Sequence, residues 1–296
     1  MIDVLIVGGI FREILNGDTN ATTRYGGSGL TASVAAARFG ASVALASYVG
    51  SEDESAVRAE LRAACVDDAP VLTVAGASGI FVFPAHQNSE RPWPMYRPAE
   101  AVPTTLPGSV PAARVVVAFG IPDFDPVSSG WLSGLRSDVV LVWDRQGWLS
   151  RARDSAAARA LAPAMKIYVA NEQEALEEAR ASTIREVLLQ PPPGFRVSLI
   201  KRGIRGVTVV ERTKQGILCN VVEAFPVETE STIGSGDVFL GAFAARLSIG
   251  DSCVDAATWG CAASAIALKV GTNLLDDKAL SSAQLLISNR ENSLKM

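Results

Sequence analysis

The feature that most constrains this chain is a rhythm of short, nearly unbroken Val/Ile/Leu runs separated by helix-prone stretches. The apolar runs are Val4–Val7, Val43–Tyr48, Val115–Phe119, Val139–Trp143, Lys166–Ala170 and Val197–Ile200. A strand with one wet face alternates apolar and polar residues, whereas a run apolar on both faces must be covered on both, as in a parallel sheet between helix layers. The intervening segments Leu30–Phe39, Asp53–Cys65, Asp154–Ala162 and Glu172–Ala181 favour helix by composition. Together they predict α/β layering. After Val207 the order changes: strand-like Val207–Glu211 and Ile217–Ala224 precede a helical C-terminal third, in which Phe239, Ala242, Phe243 and Leu247 fall at helical spacing. No internal repeat or low-complexity tract interrupts this order, so residues 1–296 read as one domain.

Two segments fit that core badly. Residues 11–25 are polar and contain glycine, and residues 79–107 include the proline-rich "HQNSERPWPMYRP". Each adjoins β-like sequence, so a small β-sheet projecting from the main body as a lid is expected there, with plain surface loops as the competing reading.

Composition removes several classes of function. With 48% hydrophobic and 20% charged residues in 296, the chain has enough apolar material for a large core, and disorder is excluded. A net charge of −4 and the lack of any Lys/Arg block argue against nucleic acid as a partner. The apolar run Ala256–Leu268 is 13 residues long, short for a bilayer span, and reads as a buried helix. The opening MIDVLIVGG lacks the basic start of a signal peptide, which makes a cytoplasmic location the expectation. Cys65, Cys219, Cys253 and Cys261 are scattered and His86 is the sole histidine, so a zinc site is not expected and the thiols read as free and mostly buried.

Chemistry concentrates in "STIGSGDVFLGAF", Ser231 to Phe243. If a helix begins near Gly236 or Asp237, its first amides lack intrahelical acceptors and present the positive end of the helix dipole. Gly234, Ser235 and Gly236 let those N–H groups approach an anion closely, and Asp237 beside them is placed to take a proton from an attacking hydroxyl. The competing reading is a glycine turn with Asp237 as an ordinary cap.

At these residues the sequence resembles the ribokinase-like carbohydrate kinases, the phosphofructokinase-B family. "STIGSGDVF" follows that family's D-T-x-G-A-G-D-x-F signature, with Ser231 for the leading Asp and Ser235 for Ala. "YGGSGLTASVAAARFGASVALASYVGSED", Tyr25 to Asp53, is similar to its N-terminal signature. "NEQEA" supplies Asn171 and Glu174 of an N-x-x-E element, and "IKRGIRG", Ile200 to Gly206, matches the strand and glycine turn before a hairpin. The resemblance spans nearly the whole chain and implies a three-layer α/β/α core with a mostly parallel sheet and a small β lid. It implies ATP and Mg²⁺ as cofactors and a sugar, polyol or nucleoside as the small-molecule acceptor. Asp237 would be the base, with the amides of Gly234, Ser235 and Gly236 as anion hole. Lys201, Gly203, Gly206 and Asn171 would lie along the nucleotide, and adenine between the hairpin and the helix near Trp259–Leu268. Glu174 would organise water-coordinated Mg²⁺. Gly26, Gly27, Glu13 and Thr31 would face the acceptor. Relatives often pair through their lids, so a homodimer through the lid is a further expectation.

The substrate side departs from the pattern. Glu13 stands where relatives use Asp, and Thr31 replaces an Asn, so two hydrogen-bonding groups become one. Ile233 offers no side-chain oxygen where relatives bind a monovalent cation. Asp144, at a strand end, is either a ligand-facing acid or a turn cap. Two other classes compete with a kinase. A sugar- or nucleotide-binding sensor draws on the altered substrate side, and a nicotinamide dehydrogenase draws on "VGGIFRE", which lacks the third glycine of its fingerprint.

Overall fold

The computed structural model describes residues 1–15, 23–83, 95–103, 110–122, 130, 132, 134–144, 146, 156–229, 231–271 and 275–293. Its centre is a ten-stranded sheet. Strands β1 (Ile2–Val7), β4 (Val43–Gly50), β9 (Ala113–Phe119), β10 (Val140–Asp144), β11 (Met165–Asn171) and β12 (Val197–Lys201) run parallel. At one edge β13 (Val207–Thr213) and β14 (Gly216–Val222) continue antiparallel, and at the other β5 (Val66–Asp67) and β6 (Val71–Val74) pair with β4. The order is β14-β13-β12-β11-β10-β9-β1-β4-β5. It reverses at β1, which lies between β9 and β4, the arrangement that opens a crevice beyond the carboxyl ends of the strands.

The double-sided strands behave as their sequences require. Along β1, Val4 and Ile6 enter one core while Leu5 and Val7 enter the other. Helices α1 (Ser28–Arg38), α2 (Glu54–Ala63), α6 (Ser235–Ser248), α7 (Cys253–Val270) and α8 (Ala279–Ser293) contribute to the first. Helices α3 (Ala156–Arg159), α4 (Glu172–Ala179) and α5 (Ile184–Leu189) contribute to the second. This is the three-layer α/β/α core expected above.

A second sheet, ordered β3-β2-β7-β8, comprises β2 (Phe11–Leu15), β3 (Thr23–Gly26), β7 (Ile80–Phe83) and β8 (Met95–Arg97). Phe11 and Phe81 meet edge to face on it, ring centroids 4.8 Å apart. His86 and residues 16–22 and 104–107 lie outside the described residues.

Three details differ from the sequence reading. Strands β5 and β6 and helix α5 had no signal, because two- to six-residue elements carry too little periodicity. The buried run Ala256–Leu268 belongs to the longer α7, whose start is capped by Ser252 accepting from Asp255 N–H. At 18 residues α7 meets the length and apolarity of a membrane span, yet it packs between α6 and α8 with nine residues buried. Of the four free thiols only Cys253 and Cys261 are buried. Cys65 ends a helix in left-handed conformation, φ 59°, and Cys219 lies on the edge strand β14, so both reach solvent.

Candidate active site

A cavity of about 1040 Å³ lies across the carboxyl ends of the parallel strands, its lining running from Phe11, Phe81 and Phe83 of the small sheet to Cys261, Ala265 and Leu268 of α7. Asp144 ends β10, Asn171 ends β11 and Lys201 ends β12, so the sheet itself delivers three polar side chains to the cavity.

Helix α6 starts against it. Gly234 is the N-cap in left-handed conformation, φ 77°, and no side chain caps the helix. A non-glycine residue would be strained at this φ. Ser235 N–H donates to Thr232 O (3.2 Å) and Asp237 N–H to Gly234 O (3.1 Å). The N–H groups of Gly234 and Gly236 have no acceptor among the described residues. The anion hole of the sequence reading therefore has Gly234 and Gly236 as its open donors, with the Ser235 amide spent on the turn. Ser264 of α7 holds the turn from behind, its Oγ donating to Ser235 O at 2.9 Å.

Asp237 occupies the first turn of α6 and lines the cavity. Burial pushes its carboxyl up to about 7; the Lys201 ammonium opposes this, while Asp144, Glu13 and Glu174 add to it. Among the described residues one hydrogen bond reaches it from another side chain, Gln146 Nε2 to Oδ1 at 3.2 Å. Gln146 sits at φ 46°, its N–H bonded to Asp144 Oδ1 at 3.1 Å, which turns the amide towards α6. Lys201 Nζ donates to Asp144 Oδ2 at 2.7 Å. Burial alone would lower the lysine, but Asp144, Glu174 and Asp237 hold it above its usual value. A Cβ added at Gly236 would come within 3.3 Å of that ammonium, so Lys201 lies directly beside the glycine turn.

Asn171 and Glu174 form a capping box on α4: Glu174 N–H donates to Asn171 Oδ1 (2.9 Å) and Asn171 N–H to Glu174 Oε2 (2.8 Å). Both line the cavity, so the cap and the site share residues. Gly203 (φ 58°) and Gly206 (φ 76°) bound the turn that follows β12, and a Cβ at Gly206 would meet Val222 O at 2.0 Å. That turn is tied to α4 through Arg202 and Arg205 on Glu172. The lining continues over Ala224–Val227 and over Cys261, Ala265 and Leu268, an apolar wall between the hairpin and α7. Trp259 is not in it; that ring packs on Phe39 and Arg246.

The substrate-side residues divide. Glu13 and Gly27 line the cavity, whereas Gly26 and the buried Thr31 do not. Glu13 accepts from Gly27 N–H at 3.0 Å and from Arg24 Nε at 2.9 Å. A Cβ at Gly26 would fall 2.3 Å from the Glu13 carboxyl carbon, so that glycine admits the acid. Gln146, Ser28 and Ser264 also border the site and were missed. Two of them had a neighbour to signal them: Ser28 directly follows Gly27, and Gln146 lies two residues beyond Asp144.

The donor set suits a polyphosphate: two open amides at a helix start and one ammonium. Among the described residues no three His, Cys, Asp or Glu side chains converge to enclose a metal. Glu174 has one oxygen on its own cap, so these acids fit an ion that keeps most of its waters, as Mg²⁺ does.

No curated protein sequence matches this chain. Solved structures do: the ribokinase of Arabidopsis thaliana complexed with ribose and ATP (TM-score 0.76, 15% identity, 95% of this chain and 98% of that one). The adenosine kinase of Sinorhizobium meliloti matches with TM-score 0.75 at 16% identity, covering 96% and 99%. The fructokinase of Vibrio cholerae O395, in a form with fructose, ADP and calcium ion bound, matches with TM-score 0.73 at 15% identity, covering 97% and 98%. These likenesses are of fold. The pfkB family carbohydrate kinase model matches residues 2–276, and on that match this chain belongs to the pfkB family of carbohydrate kinases.

Proposed function

We propose that the protein is an ATP-dependent phosphotransferase acting on a hydroxyl of a sugar, polyol or nucleoside. The observation that carries this reading is the position of Asp237. It is a carboxylate of raised proton affinity in the first turn of an uncapped helix, beside two open amides and an ammonium, on the wall of one cavity.

In this reading Asp237 takes the proton from the acceptor hydroxyl as its oxygen attacks phosphorus. A carboxylate with a pKa near 7 is matched to that task at neutral pH. The Gly234 and Gly236 N–H groups, with the positive end of α6 behind them, stabilise charge on the transferred group, and Lys201 adds its ammonium. Gln146 holds one oxygen of Asp237, leaving the other for the acceptor. The wall of Ala224–Val227, Cys261, Ala265 and Leu268 receives the base, and Gly203 and Gly206 shape the turn along it. When bound, ATP supplies the γ-phosphoryl group and Mg²⁺ neutralises charge on its oxygens. Glu174 and Asn171 would face the hydrated ion. The small sheet serves as the lid over the acceptor end.

The test is Asp237→Asn, assayed for ADP release against a panel of sugars, cyclitols and nucleosides. Loss of turnover with retained nucleotide binding is expected; near-normal turnover ends the reading.

A further inference from the structure

The two edges of the large sheet are built in opposite ways. At one end β5 is two residues long and carries Asp67, and Asp68 follows it in ion pairs with Arg58 and Arg62. Short length and charge are means by which an edge strand is kept from pairing with another chain. At the other end β14 is seven residues long, GILCNVV, with no charged residue and no proline. Its register with β13 is unbroken from Thr213 opposite Gly216 to Val207 opposite Val222, so no bulge turns the strand aside.

That register fixes which backbone groups of β14 are open. Thr213 and Gly216 close the hairpin as a hydrogen-bonded pair, so by alternation the N–H and C=O groups of Gly216, Leu218, Asn220 and Val222 point to β13. Those of Ile217, Cys219 and Val221 point outward, and among the described residues nothing bonds to them. The side chains are as unprotected as the backbone: Ile217 is 39%, Leu218 50% and Val221 61% exposed. Among the described residues no other element has more than one exposed large hydrophobic.

The strand is complementary to itself. Cys219 is its middle residue and is exposed. Turned about a two-fold axis there, an identical strand sets Ile217 opposite Val221, Leu218 opposite Asn220 and the small Gly216 opposite Val222, with no charge facing a like charge. Each open residue then meets an open residue, so both of its hydrogen bonds are made. Just beyond the strand lie Lys214 and Glu223, both exposed and of opposite sign, and the axis brings Lys214 of each copy beside Glu223 of the other. We propose that β14 is the contact surface for a second copy of this chain, the two strands pairing antiparallel about Cys219 and joining the two ten-stranded sheets into one. The contact is confined to two strands and their flanks, so the dimer is weak and concentration-dependent. It is separate from the small sheet, and it holds whatever reaction the cavity performs.

Sedimentation velocity over a wide range of protein concentration tests this, with amide hydrogen exchange on the same samples. Wild type shifts from monomer to dimer as concentration rises, and exchange at Ile217, Cys219 and Val221 slows in step. Val221→Lys places an ammonium against Ile217 of the other copy and raises the dissociation constant about tenfold or more, while the monomer keeps its thermal midpoint. Lys214→Glu and Glu223→Lys each weaken the dimer, and the two together restore it, as this register requires. A short bis-maleimide joins wild-type chains and fails to join Cys219→Ser chains. A protein that stays monomeric at every concentration overturns the proposal. So does a dimer that Val221→Lys leaves unchanged, which would place the contact elsewhere, and so does pairing of β14 with an unrelated extended peptide without self-association.

Discussion

Asp53 and Asp237 are two acids set at helix starts, and the fold treats them in opposite ways. Asp53 is the N-cap residue of α2 but makes no cap bond to its own helix. Its carboxylate turns to the small sheet instead, accepting from Arg12 Nε of β2 at 2.6 Å, Tyr25 OH of β3 at 3.0 Å and Ser78 N–H at 2.9 Å. Burial alone would raise this acid, yet the bonds from Ser78, Arg12 and Tyr25 outweigh it and hold the carboxyl below its usual range. Among the described residues Asp237 receives one side-chain bond, from Gln146, and it stands near three other acids, so burial prevails and its proton affinity rises. Donor supply set against desolvation separates an anchoring carboxylate from one of raised proton affinity. The same contrast holds for two helix starts: α4 closes its own amides with Asn171 and Glu174, while α6 leaves two open behind Gly234.

The comparison breaks most visibly by exchanging the acids for neutral residues. Asp237→Asn should lower kcat by about 10³-fold, roughly 4 kcal/mol of barrier, in a steady-state assay. Asp53→Ala should instead cost about 3 kcal/mol of stability in urea unfolding, because Arg12 loses its buried partner. In the folded protein its kcat should change little. If Asp53→Ala abolished turnover without loss of stability, the division of roles would fail.

The pH dependence separates the two acids further. An acid whose folded pKa is about 7 binds protons more tightly folded than unfolded, so ionising it costs stability progressively between about pH 4 and 7. Asp237→Asn should therefore be more stable than wild type by up to about 4 kcal/mol at pH 8, with little difference at pH 4. Asp53, held low, contributes stability above its unfolded value, lost as pH falls through its folded one. For catalysis, kcat/KM of wild type should fall as pH drops through about 7, since the base must be ionised. Lys201→Met should move that midpoint upward, because the ammonium is the group that opposes protonation of Asp237. The smallest effect belongs to Gln146→Ala, about threefold in kcat, together with an upward drift of the same midpoint from loss of a bond to the ionised form.

Much of this was legible in the sequence. The six double-sided apolar runs predicted the mostly parallel sheet because strands apolar on both faces suit a sheet covered by helices on both sides, and Gly234, Ser235 and Gly236 marked a turn at a helix start. Ser264 was not legible, because its Oγ meets Ser235 O, 29 positions away, only through the packing of α7 on α6, and Gln146 had nothing but its nearness to Asp144 to mark it, since its bond to Asp237 spans 91 positions.

Chain order alone determined the layering, the strand directions and the placing of an acid behind a glycine turn, since these follow from periodicity and local backbone freedom. Tertiary structure alone decided which carboxylates are satisfied. Asp53 is reached by Arg12 and Ser78, residues 41 and 25 positions away, and Asp237 by a glutamine 91 positions away. The number of donors a buried charge receives depends on what the fold brings beside it, and no local pattern records that.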